Sequence, residues 1–404
     1  MKRIYRKTDK PGVADIIRRH GGQYAKNNPL LPEQLHAMAS INRCRTQALG
    51  GNIFECEDCG TKTSVYYSCC NRHCPISVRG VKREQWLEAR KAELLPAKYF
   101  HTVFTLPHAL NPLILTNKKV LLDLLFQAVQ AVLTCFALDP RWRLTGELGA
   151  IAVLHTWSQT LIDHFHLHCL IPGGALSADG NHWKKAGKRF LFRAKSLATA
   201  FRNRYLELLE EAYRQGELLF PGKTAEYQLP ELFFGLTETL RRKDWVVYAK
   251  ATFAGPEQVL QYLGRYTHRV AIANSRIVAM DSDTVSFTYR DRADGNKVKT
   301  MVLKADEFIR RFLLHVLPKG FVKIRYFGFL SHRKKTENLA IIRRLLGVAT
   351  EVAAKTKESV AALMLRVFHI DISRCPKCKG AMRHFDEIKR RPPLDQQSQA
   401  FAPG

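Results

Sequence analysis

Apolar and polar positions change period several times along this chain, and each change marks an element. Apolar residues at helical spacing predict helices from Val13 to Arg19 and from Pro32 to Gln47, with Asn28-Pro29 and Leu31-Pro32 breaking between them. From Pro96 the texture turns aromatic and β-branched, so Tyr99 to Thr105 reads as a strand stopped by Pro107. Lys118 to Phe136 returns to helical spacing. Gly149 to Ile171 predicts two strands, Ala150 to His155 and then Leu161 to Ile171, with Gly173-Gly174 permitting a sharp exit. Further helices are expected over Ser196 to Gln215, from Pro256 to Arg269 and over Glu307 to Leu317. Further strands are expected over Asp244 to Lys250, within Arg276 to Tyr289 and over Phe321 to Leu330. Strands and helices mixed in this order, without a regular βαβ repeat, predict an α+β fold on an antiparallel sheet.

The second strand of the pair carries chemistry. Alternation puts His164, His166 and His168 on one face and turns Phe165, Leu167 and Cys169 toward a core. Neighbouring histidines stand roughly 7 Å apart at Cα, within reach of one divalent ion, whereas His164 and His168 are roughly 13 Å apart, too far for one ion to take all three. Downstream, Tyr262 and Tyr266 are i, i+4 on the helix opened by Pro256. A lone His-x-His is usually a half-buried strand, and a lone tyrosine pair is usually core packing. Together on a basic chain they point to one reaction, in which a tyrosine oxygen attacks a DNA phosphodiester while a metal polarises the phosphoryl oxygen.

Charge is consistent with that substrate. Lys and Arg number 64 against 36 Asp and Glu, a net charge of +28 over 404 residues, which favours a polyanionic partner held through salt-sensitive phosphate contacts. Ribosomal and RNA-handling proteins share such a balance. No apolar run follows the basic start and none approaches a membrane span, so neither a secretory signal nor a membrane partner is expected, and the chain is expected in the cytoplasm with the nucleoid.

The 10 cysteines are clustered rather than spread as a disulfide framework. Cys56-Glu57-Asp58-Cys59-Gly60 is a zinc knuckle, and Cys70 to Cys74 adds a second closely spaced pair. Cys56, Cys59 and Cys74 are expected to hold one structural Zn²⁺, the fourth ligand lying among Cys69, Cys70 and His73, with Cys44 more distant. Zinc here serves DNA recognition through Arg72 and nearby Arg79, Lys82 and Arg83, staples a small module, or does both. Cys375-Pro376-Lys377-Cys378 is half a site that His384 or a distant cysteine would complete.

These motifs resemble the rolling-circle insertion-sequence transposases, the two-tyrosine branch of the HUH endonucleases. The likeness runs from about Arg43 to Leu330 and includes Phe104-Thr105-Leu106-Pro107, the His-hydrophobic-His strand, Tyr262-Leu263-Gly264-Arg265-Tyr266-Thr267-His268-Arg269, and the Gly320-Phe321 to Gly328 segment. The family's zinc pattern maps onto Ser68, Cys69, Asn71, Arg72, His73, Cys74 and Pro75, but its last cysteine is Ser77 here. The resemblance implies catalytic Tyr262 and Tyr266, a Mg²⁺ or Mn²⁺ held by His166 and His168, and Gln159 as third ligand. His101, Glu257 and His268 are alternatives for that third position. Arg265, His268 and Arg269 are expected at phosphate, and Lys323 and Arg325, alternating with aromatics, are expected either at DNA or on a solvated strand face.

Three parts are therefore expected: a helical and zinc-binding region over 1–95, an HUH nuclease with a helix-flanked antiparallel sheet over 96–335, and a C-terminal helix, knuckle and disordered tail over 336–404. The expected partner is DNA, both single-stranded transposon ends and target. A rolling-circle replication initiator would use the same chemistry, and a non-catalytic zinc DNA-binding regulator would use none of it. The absence of a Gly-x-x-x-x-Gly-Lys-Ser/Thr loop argues against a fused helicase.

Overall fold

A computed structural model describes residues 10–76, 81–187, 191–252, 257–258, 260–261, 264, 271–349, 358–359, 361–362, 365–366 and 371–391, the backbone alone at 2–3 and 81–83. In chain order its main elements begin with α1 (Val13–Asn27), α2 (Pro32–Arg43), β1 (Gly51–Cys56), β2 (Lys62–Tyr66), α3 (Val81–Ala92), β3 (Tyr99–Thr105), α4 (Lys118–Leu138), β4 (Ala150–Trp157) and β5 (Asp163–Pro172). They continue with α5 (Ala194–Arg214), α6 (Pro230–Arg242), β6 (Val247–Ala251), β7 (Ile277–Met280), β8 (Thr284–Asp291), β9 (Lys297–Lys304), α7 (Ala305–Leu314), β10 (Ile324–Phe327), α8 (Lys335–Leu345) and β11 (Met382–Ile388).

Five strands make one antiparallel sheet in the order β6-β3-β5-β4-β10, which puts the histidine strand β5 at its centre. One face sends Phe104, Leu154, Phe165, Leu167 and Cys169 into the largest core, which also holds Leu125 and Phe126 of α4 and Phe201 and Tyr205 of α5. Helix α4 is long and apolar enough to cross a membrane by length and composition, with a mean hydropathy of 1.9; 56% of that stretch is buried within the molecule, as a core helix requires. The opposite face carries the histidines at one end. At the other end Ile151, Val153 and Leu170 are covered by Leu87 of α3, by Leu260, and by Leu339 and Ile342 of α8.

Packing crosses the limits expected from sequence. Val13, Ile17, Met38 and Ile41 of the first two helices share a core with Ile277, Phe287, Phe308 and Phe312, because two short amphipathic helices cannot bury their own apolar faces. At the other end, β11 pairs antiparallel with β1 from Met382↔Cys56 to Ile388↔Gly51, so the C-terminal strand completes the N-terminal sheet.

Some boundaries also move. Helix α2 stops at Arg43 rather than Gln47: Arg45 adopts a φ of 59°, and Gln47–Leu49 forms a separate turn. The strand expected from Phe321 to Leu330 is only β10. Gly328, at φ 54°, ends it where a Cβ would stand 1.7 Å from the Leu148 carbonyl oxygen, a position open to glycine alone.

Candidate metal centres

The histidine site is a product of strand register. β4 pairs with β5 so that His155 lies opposite His166 and Val153 opposite His168, and directly opposed residues share a face. One ligand nitrogen from each of His155, His166 and His168 can be chosen with all three within 4.8 Å of one another. The rings of His155 and His168 are 4.1 Å apart at their centroids and those of His166 and His168 4.9 Å. The turn between the strands is pinned from outside: His315 Nε2 donates to the Leu161 carbonyl at 3.0 Å, and Arg311 Nη1 donates to the Thr160 carbonyl at 3.0 Å.

Burial sets the charge state of these rings. Desolvation lowers the His166 pKa to about 3 and drives those of His155 and His168 well below the ordinary histidine value; neighbouring imidazoles add to it. All three are neutral near pH 7, as metal ligands must be. His166 Nδ1 lies 2.8 Å from the His164 carbonyl, which only accepts, so Nδ1 carries the proton and Nε2 the lone pair. His168 Nδ1 lies 2.8 Å from Nε2 of His101 on β3; when His168 donates, its Nε2 likewise carries the lone pair and His101 orients the ring.

Gln159, expected as a third metal ligand, makes its hydrogen bonds elsewhere. Gln159 sits in the β4–β5 turn, its side-chain carbonyl accepting from the Arg290 N–H at 3.5 Å and its backbone carbonyl accepting from Arg276, while His155 lies beside His166 and His168. Of the alternatives, His101 is a hydrogen-bonding neighbour of His168 rather than part of the triad, and Glu257 is solvent-exposed. His164 stacks on His108 at 5.2 Å and stays outside the triad. Arg292, between β8 and β9, was not singled out from sequence, yet its charge is felt at His164, His166 and His168.

Tyr262, Tyr266, Arg265, His268 and Arg269 lie outside the described residues. Two described residues nearby in sequence are Leu260 and Gly264. Leu260 is fully buried against the histidine-bearing face with Val153 and Leu170, and a Cβ on Gly264 would stand 2.6 Å from Leu87 of α3.

The cysteines fall into two groups, divided otherwise than the expected Cys56-Cys59-Cys74 site and Cys375-Cys378 half-site. Cys56 and Cys59 meet Cys375 and Cys378, whereas Cys74 meets Cys69 and Cys44, each group with sulfurs within 4.8 Å. Cys74 cannot join Cys56, because the β1–β2 hairpin faces the C-terminal strand while Cys44 and Cys74 are buried among α1 and α2. Cys70 is exposed at φ 52° and outside both groups. His73 is no ligand either: Nε2 accepts the Leu317 N–H at 3.2 Å. His384 bonds Asn52 at 3.2 Å. Ser77 lies outside the described residues. Within the Cys44 group a hydrogen bond from the Cys44 thiol to Cys69, with burial, pushes the Cys44 thiol up to about 11, and the Cys74 thiol is also raised; packed thiols resist ionising without a cation among them. Sulfur-only groups at this spacing suit zinc.

Of the basic residues expected at DNA, Arg72 and Arg325 have partners within the protein and Lys323 is buried. Arg72 donates to the Phe321 carbonyl at 2.5 Å, and Arg325 pairs with Asp123 and lies 4.1 Å over the Phe126 ring. Lys323 is buried, and desolvation with Arg72 nearby lowers its pKa to about 7. Arg79 and the side chains of Lys82 and Arg83 lie outside the described residues.

Comparison with known proteins agrees with this layout. A family model described as "Putative transposase" matches residues 149–337, and one described as "Transposase zinc-binding domain" matches residues 16–106. The chain is 46% identical over 348 residues to "Putative transposase y4qJ" of Sinorhizobium fredii, covering 86% of this chain and 87% of that one. It is 28% identical over 357 residues to the "Transposase for insertion sequence element IS801" of Pseudomonas savastanoi pv. phaseolicola, covering 86% of this chain and 82% of that one. No solved structure matches. With a relative this similar along most of both lengths, and a zinc-binding domain preceding the histidine sheet, the chain belongs to the IS91-type insertion-sequence transposases.

Proposed function

We propose that this transposase nicks and rejoins single-stranded DNA at transposon ends through a 5′-phosphotyrosine intermediate formed on Tyr262 and Tyr266. The observation that carries the reading is the convergence of three neutral imidazoles, from His155, His166 and His168, on the sheet face against which Leu260, two residues before Tyr262, is packed.

Three imidazoles leave coordination positions for phosphate oxygens, and the divalent ion they fit, Mn²⁺ better than Mg²⁺ by ligand chemistry, would polarise the phosphoryl group. The remaining steps belong to the chain. The tyrosine oxygen attacks phosphorus, the bond to the 3′ oxygen breaks, and that oxygen leaves with a proton as a 3′ hydroxyl. Arg292, whose charge reaches the histidines, and Arg265 and Arg269 offset the charge of the five-coordinate phosphate. The phosphotyrosine conserves the bond, so a 3′ hydroxyl can later attack it, release the tyrosine and join the strands without nucleotide hydrolysis. The second tyrosine allows a second strand to be held meanwhile. The excess of 64 Lys and Arg over 36 Asp and Glu supplies sequence-independent affinity.

A replication initiator would share the chemistry; the similarity to two transposases favours transposition. A purely structural role for the histidines fits poorly with three neutral rings, two buried and one half-buried, whose nitrogens lie within 4.8 Å of one another. The test is a denaturing gel of the protein with 5′-extended single-stranded ends and Mn²⁺. A slow-migrating covalent adduct that disappears in the Tyr262→Phe, Tyr266→Phe double variant supports the reading, and cleavage that survives in that variant overturns it.

A further inference from the structure

The zinc-binding domain matched by family comparison ends at residue 106, yet its Cys56-Cys59 knuckle lies against a second knuckle close to the other end of the chain. Cys56 Sγ is 3.3 Å from Cys378 Sγ, and Cys59 Sγ is 3.7 Å from Cys375 Sγ and 3.3 Å from Cys378 Sγ. Four thiolates around a tetrahedral Zn²⁺ at about 2.3 Å stand about 3.8 Å apart, close to what is seen.

The two knuckles are also the same piece of backbone used twice. Gly60 N–H donates to the Cys56 carbonyl at 3.0 Å, and Lys379 N–H donates to the Cys375 carbonyl at 3.0 Å. Cys56 N–H donates to the Thr61 carbonyl at 3.1 Å, and Cys375 N–H to the Gly380 carbonyl at 2.8 Å. The residue after each second cysteine is left-handed, Gly60 at φ 65° and Lys379 at φ 69°. They interlock closely: Glu57 N–H donates to the Ala381 carbonyl at 3.0 Å, and a Cβ on Gly380 would stand 2.1 Å from an Asp58 oxygen. Pairing of β11 with β1 then continues the contact away from the sulfurs.

We propose that Cys56, Cys59, Cys375 and Cys378 hold one structural Zn²⁺, so that the N-terminal ribbon is completed only by the C-terminal residues 371–391. This ion is distinct from any held by Cys44, Cys69 and Cys74, and it ties the two ends of the chain together across the intervening nuclease region. The closure entropy of so long a loop grows only slowly with length, so an ion bound by four thiolates can maintain it.

The experiment measures zinc per full-length chain by elemental analysis, purified under reducing conditions. Cys56→Ser with Cys59→Ser, and Cys375→Ser with Cys378→Ser, should each lose about one zinc. The quadruple variant should lose the same single zinc, since both pairs serve one ion. Loss of about two zincs in the quadruple variant, or an unchanged content after Cys375→Ser with Cys378→Ser, overturns the proposal. Should the serine variants aggregate, Cys378→His retains a ligand. Loaded with Co²⁺, it should keep the same metal content with its visible bands shifted from those of the parent, and an unshifted spectrum overturns the proposal. None of these readouts depends on DNA cleavage.

Discussion

His155 stands directly across the β4–β5 ladder from His166, and this pairing turns a row of histidines on one strand into a three-sided site. The third imidazole comes from the neighbouring strand, at a position fixed by the hairpin's register rather than by any short motif.

His155→Ala should therefore abolish Mn²⁺-dependent cleavage of single-stranded ends, by on the order of 100-fold or more, while Gln159→Ala leaves it within a few fold. His101→Ala should fall between, at about 10- to 100-fold, as for a residue that orients a ligand. Initial cleavage rates check this, with near-UV circular dichroism confirming that each variant folds. Gln159→Ala more damaging than His155→Ala would reverse the assignment.

The β5 histidines were legible from sequence because alternation is a local signal, and so were the cores of α4 and α5. His155 was not, because its relation to His166 requires the hairpin register, in which the bulge between His155 and Trp157 intervenes. Cys375 and Cys378 were visible as a pair, but their partners lie at the far end of the sequence, and spacing cannot choose among distant cysteines. The setting of Lys323 and Arg325 was not legible for a related reason: aromatic and basic alternation looks the same whether the cations face DNA, face solvent, or lie on Phe126 and beside Arg72.

Arg325→Ala should lower stability by about 1 kcal/mol, the sum of a half-exposed ion pair with Asp123 and a cation–π contact with Phe126, without changing DNA affinity. Denaturant unfolding and fluorescence anisotropy separate the two. Loss of affinity at unchanged stability would return Arg325 to the DNA surface.

Lys323 has a pKa near 7 when folded against an ordinary value of 10.5, so the folded state binds fewer protons than the unfolded chain between those limits. Its contribution to stability should rise as pH increases from about 7 toward 10.5 and be least favourable below pH 7, where the buried ammonium must exist. Lys323→Met removes this term. The gain in melting temperature of Lys323→Met over the parent should be largest near pH 6 and shrink toward pH 10; a pH-independent difference would contradict it.

Gly328→Ala should destabilise by at least about 2 kcal/mol, since the left-handed backbone alone costs roughly 1–2 kcal/mol and the new methyl meets the Leu148 carbonyl. Gly222→Ala, left-handed but with open space around it, should show the backbone cost alone. Equal effects in chemical denaturation would show that the close approach at Leu148 relaxes.

The most direct test of the account is the identity of the atom that holds DNA. Trapped protein–DNA adduct, digested with trypsin and nuclease, should yield peptide mass spectra in which a 5′-nucleotide phosphate is carried on Tyr262 or Tyr266. The same digestion of a His155→Ala reaction should yield none. A phosphate carried on another residue, or exhaustive cleavage of the DNA with no covalent adduct at any stage, would contradict the phosphotyrosine mechanism.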